Sequence, residues 1–163
     1  MPYMSKSAST ASVEIPHPAT LLIVEADAVF REFEARTLSD RGYTVLKARG
    51  MAEALELAVV SAAIHLLLTE LPNLSADFTE HTQRFRTMHP ATPVLLVLGA
   101  LEKFEEGVHN LGRIGVMIKP FTVDELIIKV QRLLSETAAL PLQRPKGTKR
   151  HVINGSFAKQ GIC

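Results

Sequence analysis

Cysteine is nearly missing from this 163-residue chain; the only one is Cys163, its final residue. No disulfide can form within the chain, which excludes a disulfide-stapled scaffold and fits a reducing compartment. Long apolar runs are missing as well. The most apolar stretch, Ala54 to Leu68, is interrupted by Glu56, Ser61 and His65 and is too short to cross a bilayer. The first twenty residues are rich in Ser, Thr, Ala and Pro and lack the apolar segment of a secretory signal. A cytoplasmic protein without membrane contact is therefore expected. Charge of one sign is lacking too: 18 Lys and Arg stand against 17 Asp and Glu, a net charge of +1. That balance supplies no bulk attraction to nucleic acid or membrane.

The usual catalytic and metal patterns are also absent. Of the histidines at 17, 65, 81, 89, 109 and 151, only His81 and His89 are close in sequence, and their separation is not a helical ligand spacing. Gly112-Arg113-Ile114-Gly115 lacks the glycine pattern of a dinucleotide loop and precedes a strand rather than following one. No nucleophile–base pair stands out, and no enzyme activity is expected. His65 reads as a structural residue at the start of a strand.

What is present is an ordinary globular composition, 47% apolar and 21% charged, at a length that suits one domain with tails. Residues 1–19 read as a flexible leader, 20–136 as the folded domain and 137–163 as a flexible tail. Pro141, Pro145, Gly147, Gly155 and Gly161 punctuate the tail. Its charges, Arg144, Lys146, Lys149, Arg150 and Lys159, are all positive. With Phe157 as its one aromatic it reads as a solvated tail, and no nucleic-acid contact is expected from it.

The domain alternates two kinds of segment. Short apolar runs predict buried strands at Leu21–Val24, Thr44–Leu46, His65–Thr69, Val94–Val97 and Val116–Ile118. Between them lie helix-length stretches. Over Asp27–Arg41, Phe30, Phe33 and Thr37 share a stripe and Gly42 supplies a stop. Met51–Val60 has apolar residues at 51, 54, 55 and 58, and Asp77–Met88 relies on Phe78 and Phe85. Leu101–Leu111 is short and holds Gly107. In the last helix Thr122 and Glu125 form a capping box ahead of a stripe of Leu126, Ile127, Val130, Leu133 and Leu134.

Five β-α units predict an α/β fold, a three-layer α/β/α sandwich around a five-stranded parallel sheet. Ligands of such sheets sit at the carboxyl ends of the strands, where the strand order reverses. That directs attention to Glu25-Ala26-Asp27, Glu70, Leu98-Gly99 and Lys119-Pro120. Carboxylates with a lysine are the donor set for Mg²⁺ and a phosphoryl group.

Over residues 20–136 the chain resembles the receiver domain of two-component response regulators. The resemblance rests on Leu21-Leu22-Ile23-Val24-Glu25-Ala26-Asp27, Gly42-Tyr43-Thr44-Val45, Leu67-Leu68-Thr69-Glu70-Leu71, Pro93-Val94-Leu95-Leu96-Val97 and Lys119-Pro120-Phe121, in this order. It implies a flavodoxin-like strand order 2-1-3-4-5. It also implies an aspartate after the third strand that accepts a phosphoryl group from a histidine kinase, and two acids after the first strand that bind Mg²⁺. A hydroxyl residue after the fourth strand and a lysine after the fifth contact the phosphoryl group, and an aromatic residue reports the state.

Carried over by position, the phosphoacceptor falls on Glu70 and the phosphoryl-contacting lysine on Lys119. The metal-binding acids fall on Glu25 and on Ala26, with Asp27 next to them in an acidic pocket; the hydroxyl residue falls on Leu98 and the aromatic on Val116. The proline that usually follows the acceptor falls on Leu74. Glu25 and Glu70 could hold at most a weak Mg²⁺, and Ala26, Leu98 and Val116 lack the switch chemistry. No other cofactor is expected.

The expectation is a degenerate, pseudo-receiver member acting through protein contacts without normal aspartyl phosphorylation. In one version Glu70 pairs with Lys119 and imitates the phosphorylated state; in the other it is a solvated relic. The expected partner is a histidine kinase or a downstream signalling protein. A homodimer is also considered, through the face of the fourth helix, fifth strand and fifth helix, with Phe104, Val108, Lys119 and the outer side of 122–135. The alternatives are a working phosphoacceptor at Glu70 and a flavodoxin-like domain that binds a small ligand.

Overall fold

In the computed structural model, residues 18–70, 76–99 and 113–139 are described. Five strands are present: β1 (Thr20–Val24), β2 (Thr44–Ala48), β3 (Leu66–Glu70), β4 (Val94–Leu98) and β5 (Ile114–Ile118). They pair in parallel in the order β2-β1-β3-β4-β5, the expected topology. Four helices are described: α1 (Ala28–Ser39), α2 (Met51–Val60), α3 (Ala76–Met88) and α4 (Val123–Ala138). The helix expected over 101–111, with Phe104 and Val108, lies outside the described residues, as do Leu74, His109 and Cys163.

Alternate residues along the strands face opposite layers, and each layer has its own core. Leu22, Val24, Leu67, Val94, Leu96 and Leu98 pack with Met51, Ala54, Leu55 and Ala58 of α2 and with Phe78 and Phe85 of α3. Leu21, Ile23, Leu66, Leu68, Leu95, Val97 and Met117 pack with Ala35 and Leu38 of α1 and with Leu126, Val130, Leu133 and Leu134 of α4. Each fully buried Leu or Ile contributes roughly 1.5–3 kcal/mol relative to exposure, so the two layers carry the stability. The apolar residues anticipated on α2, α3 and α4 are all buried.

Helix ends follow local chemistry. Asp27 caps α1 by accepting from the Phe30 N–H at 2.8 Å. Thr122 and Glu125 form the reciprocal capping box of α4. α1 stops at Asp40 ahead of Gly42, whose φ of 88° suits a residue without a Cβ. His65 precedes β3, and its Nδ1 accepts the Thr20 backbone N–H at 2.9 Å, tying the starts of β1 and β3 together.

The stripe expected on α1 is corrected. Its buried residues are Glu34, Ala35 and Leu38, while Phe33 is 40% exposed. The helix turns its small and medium residues to the sheet and leaves the bulky rings at the rim. The fifth strand also begins two residues before the expected Val116, and the glycine at 115 has a packing reason. A Cβ there would meet Leu133 Cδ1 of α4 at 2.8 Å. α4 continues to Ala138, past the boundary expected at 136.

Candidate functional site

The carboxyl ends of β1, β3 and β5 bring three residues together. Lys119 Nζ donates to Glu70 Oε1 at 2.6 Å and to Glu25 Oε2 at 3.1 Å. These side chains continue the alternation of Leu21 and Ile23, of Leu66 and Leu68, and of Met117, which face the α1/α4 layer, so three strands aim them at one point. Lys119 is followed by a cis bond to Pro120. Its ammonium lies 4.0 Å from the ring centroid of Phe30, which Phe121 meets edge-on at 5.7 Å. One lysine is therefore held by two carboxylates and one aromatic face.

The two carboxylates are not equivalent. Glu25 is buried, whereas Glu70 is a quarter exposed. Burial raises the Glu25 pKa above the usual carboxylate value; the Asp27 backbone N–H, donating at 2.8 Å, and Lys119 oppose this without cancelling it. Burial is the largest single influence on Glu70 and works against its ionisation, but the hydrogen bonds with Lys119 and Glu25 and the charge of Lys119 together outweigh it, and the Glu70 pKa falls. The same exchange acts on Lys119: burial pulls its pKa down, and the bonds to Glu70 and Glu25 more than restore it. The ammonium and the Glu70 carboxylate thus stabilise each other as ions.

The remaining positions do not join this cluster. Ala26 is exposed and brings no donor side chain. Asp27, expected in the acidic pocket, spends its carboxylate on the α1 N-terminus. Arg31 donates to the backbone oxygens of Glu25 at 2.7 Å and Ala26 at 3.2 Å, holding the β1–α1 turn. Leu98 is buried in the α2/α3-side core, and Val116 packs against that core. Leu98 meets the site through its backbone, accepting the Lys119 N–H at 2.8 Å.

The donor set does not suit Mg²⁺. That ion needs near-octahedral oxygen ligands at roughly 2.0–2.1 Å, whereas here a lysine ammonium bridges Glu25 and Glu70. Among the described residues no three acids, histidines or cysteines are placed to hold a metal ion.

Two participants escaped sequence reading. Phe30 belongs to the stripe expected on α1, yet its ring lies under the Lys119 ammonium. Glu34 was not singled out at all; it is fully buried on α1. Its neighbours Arg31 and Glu32 make that stretch of helix read as solvated.

No protein-family model matches the chain. Response regulator MprA of Mycobacterium ulcerans (strain Agy99) is 34% identical over 120 residues, which cover 72% of this chain and 50% of MprA. Sensor kinase CckA of Brucella abortus (strain 2308) is 26% identical over 127 residues, 77% of this chain and 13% of the kinase. Chemotaxis protein CheY4 of Vibrio cholerae superposes with a TM-score of 0.61 at 26% identity, covering 71% of this chain and 98% of CheY4. The chain spans about half the length of the MprA relatives it matches. Relatives and structural neighbours are response regulator receiver domains, and the sheet order 2-1-3-4-5 is their flavodoxin-like fold. By fold and by these likenesses the chain is similar to the receiver domains of two-component response regulators. Receiver domains are in general signalling modules rather than enzymes. Among the described residues no helix is long and apolar enough to cross a membrane.

Proposed function

We propose that this chain is a pseudo-receiver: it signals through protein contacts from one standing conformation, without ordinary aspartyl phosphorylation. The observation that carries this reading is the bridge from Lys119 to Glu70 and Glu25. It occupies the place where a phosphoryl group and its cation would be held, with the chain's own side chains. Ala26 and Leu98 withhold the second carboxylate and the hydroxyl that transfer needs. Glu70 carries one negative charge against about −1.5 to −2 for a phosphoryl group, so its pairing with Lys119 is a partial imitation of the phosphorylated state.

Beryllofluoride, a phosphoryl mimic, tests this directly. Added with Mg²⁺, it leaves the amide NMR signals of Glu70, Lys119 and Leu98 where they were. Saturable shifts at those three positions would show a working phosphoryl site and overturn the reading.

The partner is a histidine kinase or a downstream signalling protein, met in the cytoplasm. The outer face of β5 and α4 supports a contact of this kind. Ile118 and Ile128 are 59% and 64% exposed, and a groove of about 320 Å³ runs between them, flanked by Glu125, Lys129 and Arg132. This is also the face for the proposed homodimer. Light scattering over a wide concentration range is expected to show mass rising toward two chains, and Ile128→Glu to abolish the rise. Monomer mass throughout would remove the homodimer and leave a different protein as the partner.

A further inference from the structure

Glu34 has no place in packing or in the clamp as described. It sits on the face of α1 that packs on the sheet, is fully buried, and neither carboxyl oxygen has a hydrogen-bond partner. An apolar residue would fill that position at no cost in desolvation. A buried carboxyl without a partner does not keep its charge; it takes up a proton instead.

The charged groups that act on it come from three strand ends. Glu25 after β1 and Glu70 at the end of β3 repel its ionised form, and Lys119 after β5 attracts it. From the other elements of the same core, α4 brings Leu126 and Val130 and β2 brings Val45, with Tyr43 beside it. On its own helix, Arg31 is engaged by the backbone of Glu25 and Ala26. Burial, then repulsion from Glu25, pushes the Glu34 pKa up to about 8, with Lys119 holding it back.

We propose that Glu34 is a proton switch on the Lys119 clamp. Protonated, it leaves the ammonium to Glu25 and Glu70. Ionised, it is a third carboxylate competing for one cation, and the clamp loosens. The step is loss of one proton to solvent. It requires no phosphoryl chemistry and stands whether or not the pseudo-receiver reading holds.

The sign follows from linkage. Unfolded, Glu34 ionises near 4.5; folded, near 8. Between these values the folded state holds a proton that the unfolded state has lost. The contribution of this group is complete below 4.5, declines as pH rises, and is gone above about 8.

The test is a ¹³C carboxyl NMR titration of the whole chain with the amides of Glu70 and Lys119 followed together. The Glu34 carboxyl is expected to titrate near 8, and the Glu70 and Lys119 amides to move with the same midpoint. E34Q should abolish that shared transition. E70Q, which removes a repelling charge, should bring the Glu34 midpoint down. A Glu34 midpoint in the ordinary carboxylate range, a Glu34 transition that the two amides ignore, or a shared transition that survives in E34Q would each overturn the proposal.

Discussion

Incubated with Mg²⁺ and acetyl phosphate, the wild-type chain keeps its mass, while the A26D/E70D/L98T variant gains one phosphoryl group. Each substitution answers one physical deficit. Aspartate at 26 returns the second carboxylate that Mg²⁺ requires. Aspartate at 70 withdraws the carboxylate by one methylene, which opens the 2.6 Å contact with Lys119 and restores room for in-line attack. A misplacement of about 1 Å is enough to cost roughly 10²-fold in rate. Threonine at 98 supplies a hydroxyl at the end of β4, next to the Lys119 backbone. Its donor is worth on the order of 1–3 kcal/mol to the transferring oxygens. Leu98 is a core residue, so the variant is expected to be less stable, and circular dichroism beside the intact mass shows that it remains folded. A phosphoryl group on the wild type would overturn the pseudo-receiver reading and make Glu70 the acceptor to map. A folded variant that stays unmodified would show that the lost chemistry extends beyond these three positions.

K119M is expected to lower stability by about 3 kcal/mol at neutral pH, because it leaves two carboxylates at the sheet rim without their cation. Methionine keeps most of the side-chain volume, so the loss is electrostatic rather than a cavity. Its pH dependence separates the two. The Glu70 pKa is lowered in the folded state, so this group's contribution is present above 4.5 and fades as pH falls through the carboxylate range. The Lys119 pKa is raised, so its contribution is present below 10.5 and fades as pH rises beyond that. The gap between wild type and K119M should therefore be widest between those limits and narrow sharply in acid. Urea denaturation at about pH 7 and about pH 3 measures it. Equal stability of the two proteins at neutral pH would show that the bridge contributes nothing, as many exposed ion pairs do.

The general fold was legible in residue order alone. Continuous apolar runs twenty to thirty residues apart, with amphipathic stretches between them, leave a doubly covered parallel sheet as the one way to bury them all. Helix α2 matched its expected bounds, and all four of its expected apolar positions are buried. The capping box of α4 was readable because it is a contact between residues three apart. The position-by-position likeness also puts Glu25, Glu70 and Lys119 together at the carboxyl ends of the first, third and fifth strands.

Side-chain pairing was not legible in the same way. Lys119 meets Glu70 and Glu25 across 49 and 94 residues of chain, and no local pattern encodes which carboxylate it takes or at what distance. On α1 the periodicity favoured the largest apolar residues. The close approach of that helix to the sheet instead buried Ala35 and Leu38 and left Phe33 at the rim. β5 starts at Ile114 rather than at the expected Val116, and the missing Cβ of Gly115 makes room for Leu133.

By itself, then, the sequence determined the order and type of the described elements and which residues gather at the carboxyl ends of the strands. These follow from hydrophobic burial and backbone hydrogen bonding, which repeat along the chain and leave a periodic record in it. Only the tertiary structure decided that Lys119 closes on both glutamates and that Glu34 lies buried without a hydrogen-bond partner. Those outcomes depend on distance and desolvation between groups far apart in the chain, and neither quantity exists until the layers have packed.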